Sequence, residues 1–208
     1  RPAGWTARKI PHTTAALMRA TRCTVAFITL AALLSACTAR LQPAGPAFIE
    51  PAITPDSFVQ ADGTKLPYRA WQPDGKPRAA IVALHGFNDY SRAFEKPGAY
   101  WATKGITTYA YDQRGFGDGP HRKIWAGHSA MVDDLAATVR LVRMQHPGVP
   151  VFVLGESMGG AIAMIGDADQ RFRVDGMILV APALRGRKYL GRIPSLMLDI
   201  VYRILPGW

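Results

Sequence analysis

The 208-residue sequence predicts an α/β fold, in which a mostly parallel β-sheet is covered by helices on both faces. Three observations favour this fold. An unbroken apolar run at Ala79–Leu84, AAIVAL, is typical of a strand that is buried on both faces. Strand and helix patterns alternate from residue 57 onward, as expected of right-handed βαβ units. The predicted strand Val151–Leu154 runs into a helix pattern through the short turn Gly155–Gly159.

The individual elements follow from hydrophobic periodicity and from glycine and proline stops. In chain order, the sequence predicts a hairpin of strands Ser57–Gln60 and Lys65–Trp71 around Asp62-Gly63, a strand at Ala79–Leu84, a helix at Ser91–Thr103, a strand at Ile106–Tyr111, a glycine-rich loop at Asp112–Gly119, a helix capped by Ser129 and ended by His146, a strand at Val151–Leu154, a helix at Met158–Ala168 and a strand at Gly176–Val180.

The net charge of +10 lies at the two ends of the chain. Residues 41–182 hold fourteen basic and fourteen acidic residues, so the predicted domain has no basic face of the kind that a nucleic-acid binder needs. Both cysteines, Cys23 and Cys37, precede this domain, which excludes a disulfide framework and a thiolate metal site within it. No metal-ligand cluster or phosphate-binding loop is present in the sequence, so we expect no metal and no cofactor.

The N-terminal residues 1–37 have the pattern of an export signal. Arg19 and Arg22 precede an apolar run, Thr24–Leu34, which is too short for a membrane-spanning helix but suits a secretory signal. The following Leu34–Cys37, LSAC, resembles a bacterial lipobox, in which the cysteine is lipidated. We therefore expect a start at Met18 and an exported lipoprotein anchored to a membrane. A buried helix or an ordinary cleaved signal are the alternatives.

The position after the predicted lipid attachment carries Thr38 rather than aspartate, which under the Gram-negative sorting rule favours the outer membrane. Residues 38–56 contain four prolines and are predicted to form an extended tether. The α/β core is predicted at residues 57–182. Residues 183–208 have the pattern of an amphipathic helix and are interpreted as the beginning of a cap region.

The turn Gly155–Gly159, GESMG, matches the G-x-S-x-G nucleophile elbow in its strand-turn-helix context. In such a turn Ser157 adopts a strained backbone conformation, and larger side chains at Gly155 and Gly159 would collide with neighbouring backbone. The turn raises the serine hydroxyl above the sheet edge, next to the N–H groups of the following helix. Ser157 is therefore the candidate nucleophile. The alternative is a serine that only caps the helix.

The loop after strand Ala79–Leu84 supplies the second candidate element. His85-Gly86-Phe87 occupies the position from which this fold provides an oxyanion-hole N–H. The backbone N–H groups of Phe87 and Met158 are the two predicted donors. His85 precedes the nucleophile, whereas the fold places its histidine last in the chain order, so we predict that His85 shapes the loop through hydrogen bonds.

Four motifs, HGFNDYS, YDQRGFG, GESMGG and ILVAPAL, resemble in this order the monoacylglycerol lipase and lysophospholipase branch of the α/β-hydrolases, also described as serine aminopeptidase S33. The resemblance covers about Ser57–Leu184. It implies the α/β-hydrolase fold, a structural role for Asp112, although its chemistry would also suit a triad acid, and an apolar cap. It also implies a catalytic Asp and His after later strands.

That acid and that histidine have no counterpart in the sequence, because only 28 residues follow the last predicted strand. His121, His128 and His146 are interpreted as surface or loop residues. We therefore expect a C-terminally truncated chain with little or no activity. We also expect an apolar strand edge left uncovered at Gly176–Val180, which favours aggregation.

Three functional hypotheses remain at this point. The first is a serine esterase that acts on small acyl esters of the monoacylglycerol or lysophospholipid type. The second is a non-catalytic, lipid-anchored binding module that retains the hydrolase scaffold. The third is a peptidase of the S33 type. The sequence does not indicate the oligomeric state.

Overall fold

A computed structural model describes residues 21–22, 24–25, 41–184, 186 and 189–204. The chain divides into two compact units, residues 40–195 and residues 1–39 with 196–208. Cys37, Met18 and most of the predicted export signal lie outside the described residues. In the part of the chain that is described, no helix has the length and apolar character needed to cross a membrane.

The first unit contains a seven-stranded sheet and its flanking helices. The elements are β1 (Ala52–Ile53), β2 (Ser57–Val59), β3 (Lys65–Trp71), β4 (Ala79–Leu84), a 3₁₀ turn (Ser91–Phe94), α1 (Glu95–Ala102), β5 (Ile106–Tyr111), α2 (His128–Gln145), β6 (Val151–Glu156), α3 (Met158–Ala168), β7 (Gly176–Val180) and the start of α4 (Arg192–Ile204). The strand order is β1-β2-β3-β5-β4-β6-β7. Strands β5, β4, β6 and β7 are parallel, and β1, β2 and β3 join them in antiparallel pairs.

Helices cover both faces of this sheet. On one face, α2 and α3 pack against β4 and β6 and bury a large cluster that includes Leu135 and Val139. On the other face, α1 packs against β3 and β5, and a smaller cluster forms around Phe94 and Ile81. Because β4 is enclosed on both sides, its residues 80–84 are all buried. The predicted α/β fold is confirmed.

Most predicted elements are confirmed, and three differences go beyond a one-residue shift of an element's end. The predicted helix Ser91–Thr103 begins as a 3₁₀ turn and becomes α-helical only at Glu95. Strand β6 extends two residues further than predicted, to Glu156. The predicted N-cap role of Ser129 is wrong: α2 begins at His128, its N-cap is Gly127 with a φ of 86°, and no side chain caps it. A glycine accepts this left-handed backbone without strain, so the chain can turn into the helix two residues before the serine.

The described part of the predicted tether, residues 41–56, is not a free linker. The N–H groups of Phe48 and Ile49 both donate to Ala61 O, at 2.9 and 3.2 Å. Gly45 N–H donates to a carboxylate oxygen of Asp62 at 2.9 Å. Further along, β1 pairs with β2. The turn between β2 and β3 offers these acceptors, and an extended proline-containing segment can pack closely against it.

Strand β7 lies at the end of the sheet and, in the described residues, pairs only with β6. Its apolar side chains Ile178, Leu179 and Val180 are exposed. Among the described residues, the outer edge of β7 is thus unpaired, as predicted. The amphipathic helix predicted after residue 183 is found as α4, and its cap role stays a prediction; the predicted face includes Leu205, which lies outside the described residues.

Candidate active site

Ser157 is the single residue between β6 and α3. Its backbone has φ 47° and ψ −109°, in a region that residues with a side chain rarely adopt. Backbone strain of this kind persists only where surrounding contacts over-determine it. Here Ser157 N–H donates to Val180 O and Ala183 N–H donates to Ser157 O, both at 2.9 Å. The sharp turn is thus held by the last residue of β7 and by the loop that follows it.

The glycines on either side of the turn leave no room for a side chain. A Cβ at Gly155 would lie 2.6 Å from the backbone of Gly160, and a Cβ at Gly159 would lie 2.4 Å from Leu84 O. Both contacts are with backbone atoms, which cannot move away independently. The glycines therefore allow α3 to start immediately after β6 and to pack close to the end of β4.

The loop after β4 lies directly beside this turn. Leu84 of β4 is paired with Gly155 of β6, so the next residues of both strands emerge at the same level of the sheet. A Cβ at Gly86 would lie 3.4 Å from the Cβ of Ser157. Within the described residues, the backbone N–H groups of Phe87 and Met158 have no acceptor. The predicted donors thus belong to the two segments that meet at Ser157, and one of them opens the positive end of α3.

His85 is fully buried and holds the loop through both ring nitrogens. Gln113 N–H donates to His85 Nε2 at 3.1 Å, so Nε2 is unprotonated and Nδ1–H donates to Gly86 O at 2.8 Å. The side chain of Gln113 also donates to His85 O at 2.9 Å. Burial lowers the pKa of His85, which keeps the ring neutral. This arrangement matches the loop-shaping role predicted for His85 and leaves it no free nitrogen for proton transfer.

Asp112 is also buried, and its carboxylate accepts backbone N–H groups from its own loop and from the 3₁₀ turn that begins at Ser91. One carboxylate oxygen accepts Ser91 N–H at 2.7 Å, and the other accepts Asp118 N–H at 2.8 Å. A Cβ at Gly117 would lie 2.3 Å from this carboxylate, so the loop closes tightly around it. The contacts of Asp112 are those of a loop-organising residue.

Next to Asp112 lies a buried ion cluster that the sequence did not predict. Arg114 forms hydrogen bonds with Asp62, Asp134 and Thr64, at 2.7 to 3.0 Å, and thereby uses all five of its donors. Burial alone would raise the pKa of Asp62, but hydrogen bonds from Arg114, Gly45 and Thr64 hold it well below its usual range. Burial raises the pKa of Asp134 to about 6 despite its contact with Arg114. The cluster joins the β2–β3 hairpin, the loop after β5 and α2.

No histidine or carboxylate among the described residues hydrogen-bonds to Ser157 Oγ. His121 and His128 are exposed, and His146 ends α2, where its Nε2 lies 2.9 Å from Tyr109 Oη. These positions agree with the surface and loop interpretation. The described residues contain no group of His, Cys, Asp and Glu side chains that could hold a metal ion.

The sequence and the fold of this chain are similar to those of known hydrolases. A family model described as serine aminopeptidase, S33, matches residues 75–208. The chain is 34% identical to the monoglyceride lipase of Rattus norvegicus over 128 residues, which cover 61% of this chain and 42% of that protein. It is 28% identical to the monoacylglycerol lipase of Mycolicibacterium smegmatis over 152 residues, which cover 73% of this chain and 54% of that protein.

A solved structure of a soluble variant of monoglyceride lipase from Saccharomyces cerevisiae has the same fold, with a TM-score of 0.58. The sequences are 20% identical, and the match covers 79% of this chain and 57% of that one. The chain spans about half the length of the curated relatives it matches.

Proposed function

Because this chain belongs to the serine aminopeptidase S33 family of α/β-hydrolases, in its monoacylglycerol lipase-like branch, we propose that the protein hydrolyses lipid-like carboxylic esters through Ser157. The observation that carries the proposal is the strained position of Ser157 between β6 and α3, beside the Gly86–Phe87 loop. A serine held in this way is half-buried, and its backbone cannot relax.

The reaction proceeds in two steps. Ser157 Oγ attacks the acyl carbonyl and passes its proton to a histidine that acts as the general base, and the alcohol leaves with that proton. Water then attacks the acyl-serine and releases the acid. The N–H groups of Phe87 and Met158 stabilise the negative oxygen that forms in each step. Removal of one such donor typically costs about 3–4 kcal/mol of transition-state stabilisation.

We place the substrate among small acyl esters of the monoacylglycerol or lysophospholipid type. Relatives named as monoglyceride or monoacylglycerol lipases from a mammal and a bacterium support this class. A peptidase of the S33 type is the competing enzyme, and fold alone does not separate the two chemistries.

The proposal is tested on the protein expressed from its complete reading frame, by labelling with a fluorophosphonate, which reacts with activated serines. Mass spectrometry should locate the adduct on Ser157, and Ser157→Ala should abolish it. Ser129→Ala, at an exposed serine of α2, serves as the control and should label normally. Paired assays with a monoacylglycerol and with an aminoacyl anilide then separate esterase from peptidase. An adduct that persists in Ser157→Ala would refute the assignment of the nucleophile.

The absence of a histidine or carboxylate on Ser157 Oγ, within the described residues, favours a second candidate. In that candidate the scaffold is a non-catalytic binding module. It predicts no fluorophosphonate adduct and no turnover, with binding of a monoacylglycerol retained and measurable by calorimetry. The labelling experiment therefore decides between the two.

We also propose that Cys37 is lipidated and that the protein is exported and membrane-anchored, with the outer membrane favoured. The basis is the LSAC motif after a short apolar run. Metabolic labelling with an alkyne fatty acid should mark the wild-type chain and not Cys37→Ser. A chain that carries no label, or equal label in both, would contradict this placement.

A further inference from the structure

The loop that follows β4 is held at both of its ends by two consecutive residues. This loop, residues 85–91, runs from β4 to the 3₁₀ turn, and we call it the β4 loop. At its start, Gln113 N–H donates to His85 Nε2 at 3.1 Å, and the side-chain amide of Gln113 donates to His85 O at 2.9 Å. At its end, the Asp112 carboxylate accepts Ser91 N–H at 2.7 Å. Both ends are thus fixed to the segment that follows β5.

Within the β4 loop, a tight turn presents the backbone N–H of Phe87. Asp89 N–H donates to Gly86 O at 3.3 Å, which makes Phe87 and Asn88 the central residues of a β-turn. Asn88 has a φ of 61°, a left-handed backbone that asparagine tolerates better than most residues. As the first central residue, Phe87 does not use its N–H in the hydrogen bond that closes the turn.

The direction of this N–H depends on His85. Gly86 C=O and Phe87 N–H belong to the same planar peptide group, so whatever holds the carbonyl oxygen also aims the N–H. His85 Nδ1–H donates to Gly86 O at 2.8 Å. The imidazole is fully buried, and Phe116 packs edge-on against it with ring centroids 5.7 Å apart. The ring therefore holds the donor peptide in one orientation.

The β4 loop needs this restraint because its second residue is a glycine. A Cβ at Gly86 would already contact the Cβ of Ser157 at 3.4 Å, so the loop passes close to the serine. Glycine has no Cβ to restrict its backbone, and the peptide groups on either side of it rotate more freely than those of other residues. Gln113 holds the first of these groups through His85 O, and the His85 ring holds the second through Gly86 O.

We infer that Gln113 is a positioning residue for the reaction at Ser157, and that it acts through His85 to aim the N–H of Phe87 at the developing oxyanion. The inference rests on the proposed ester hydrolysis and deepens it. The backbone N–H of Gln113 keeps the proton of His85 on Nδ1, which is the nitrogen that meets Gly86 O. The side-chain amide keeps the backbone that carries this ring in place.

The chemistry of the Gln113 side chain supports this role. The residue is only 1% exposed, and its Oε1 accepts no hydrogen bond from the part of the chain that the structure describes. Burying an acceptor without a donor is unfavourable, and an apolar side chain of the same length would fill this space without that cost. Packing alone therefore does not account for a glutamine here, whereas its hydrogen bond to His85 O does.

The first test compares Gln113→Met with wild type, both expressed from the complete reading frame. Methionine keeps the length of the side chain and the backbone hydrogen bond to His85 but removes the amide donor. With a monoacylglycerol as substrate, we expect kcat to fall at least about tenfold while KM changes less than about threefold. The effect should appear in kcat because a misaimed donor is missed only once negative charge has formed on the carbonyl oxygen.

The second test measures the oxyanion site directly with a trifluoromethyl ketone. Ser157 Oγ adds to the ketone carbonyl and forms a hemiketal, whose oxygen lies where the oxyanion of the reaction would lie. ¹³C NMR follows the deprotonation of this oxygen. We expect the pKa of the hemiketal to be at least about one pH unit higher in Gln113→Met than in wild type, which corresponds to a tenfold weaker stabilisation of the anion. A loss of folding stability alone would not change this pKa.

The matched control is Gln60→Met, the same substitution at a glutamine beside β2 that is equally buried, at 2% exposed. We expect this control to keep the kcat and the hemiketal pKa of wild type. A hemiketal pKa that is unchanged in Gln113→Met would overturn the inference, and so would an equal rise in Gln60→Met. If Gln113→Met does not fold, Gln113→Asn serves instead, because its amide ends one methylene short of His85 O.

The outcomes for this inference and for the proposed function are distinguishable. A wild-type protein that forms no hemiketal on Ser157 would refute the proposed function, and the positioning role with it. A wild-type hemiketal whose pKa is the same in Gln113→Met would refute the positioning role alone.

Discussion

Replacement of Arg114 by methionine should destabilise the first unit more than any change at an exposed ion pair. The guanidinium is 2% exposed, and its partners Asp62 and Asp134 are nearly as buried. Methionine has a similar length but no donors. The variant would therefore leave two carboxylates inside the protein without a counter-ion.

The expected cost follows from this geometry. Removing one partner of a buried ion pair costs about 3–5 kcal/mol, because the remaining charge is neither solvated nor paired. Arg114 serves two carboxylates, so we expect the upper part of that range. Arg114→Lys keeps the charge but loses the fork geometry and should cost less, about 1–3 kcal/mol. The triple variant R114M/D62L/D134L removes all three charges and should be more stable than Arg114→Met alone.

Urea denaturation, followed by tryptophan fluorescence, measures these differences through the midpoint and slope. The control is Arg92→Met, because Arg92 pairs with Glu95 while both side chains are more than half exposed. Such a pair contributes about 0–1 kcal/mol. If Arg114→Met lost no more stability than Arg92→Met, or if the triple variant were the least stable of all, the assignment of the cluster as a buried network would be wrong.

Three further predictions concern the site and its surroundings. Gly159→Ala should lower the free energy of unfolding by about 1–3 kcal/mol or more, because its Cβ would lie 2.4 Å from Leu84 O. The control Gly186→Ala adds a Cβ that meets nothing within 4 Å, so it should leave the thermal melt unchanged. The pKa of Asp134 is raised to about 6 from an ordinary 3.8, so between these values the folded state holds a proton that the unfolded chain has lost. The free energy of unfolding should therefore fall as pH rises from about 4 to 6, and Asp134→Asn should remove this dependence. Equal pH dependence in the wild type and in Asp134→Asn would contradict this prediction. In ¹⁵N NMR, His85 should show a protonated Nδ1 and a bare Nε2, and titration near its ordinary pKa of 6.5 would rule out the buried neutral ring.

Elements with a strong local signal were predictable from sequence. The run Ala79–Leu84 is apolar at every position because both faces of β4 are covered, and the structure has β4 with these bounds. The turn Gly155–Gly159 was recognisable because its constraints are local: a left-handed serine and two glycines that meet backbone atoms. These residues interact within a few positions or across one strand pair.

Features that depend on distant partners were not predictable. Arg114 meets Asp134 and Asp62 at separations of 20 and 52 residues, and a lone arginine in a glycine-rich loop carries no sign of either contact. Residues 38–56 have the composition of a tether because proline content suggests extension, while the acceptor Ala61 O belongs to a hairpin turn whose contact with residues 48 and 49 composition does not reveal. The start of α2 was misplaced for a related reason, since the capping preference of Ser129 was overridden by the backbone at Gly127.

The pairing of β4 with β6 has a consequence for how mutations would act on this protein. The Gly86 loop and the Ser157 turn each continue a strand, and adjacent strands are separated by about 4.8 Å of hydrogen-bonded backbone. That spacing depends on main-chain geometry and hardly at all on side-chain volume. Conservative substitutions in the apolar core on either side of the sheet should therefore lower the melting temperature well before they alter the reactivity of Ser157. Mutations can thus change the stability of the protein without changing its chemistry.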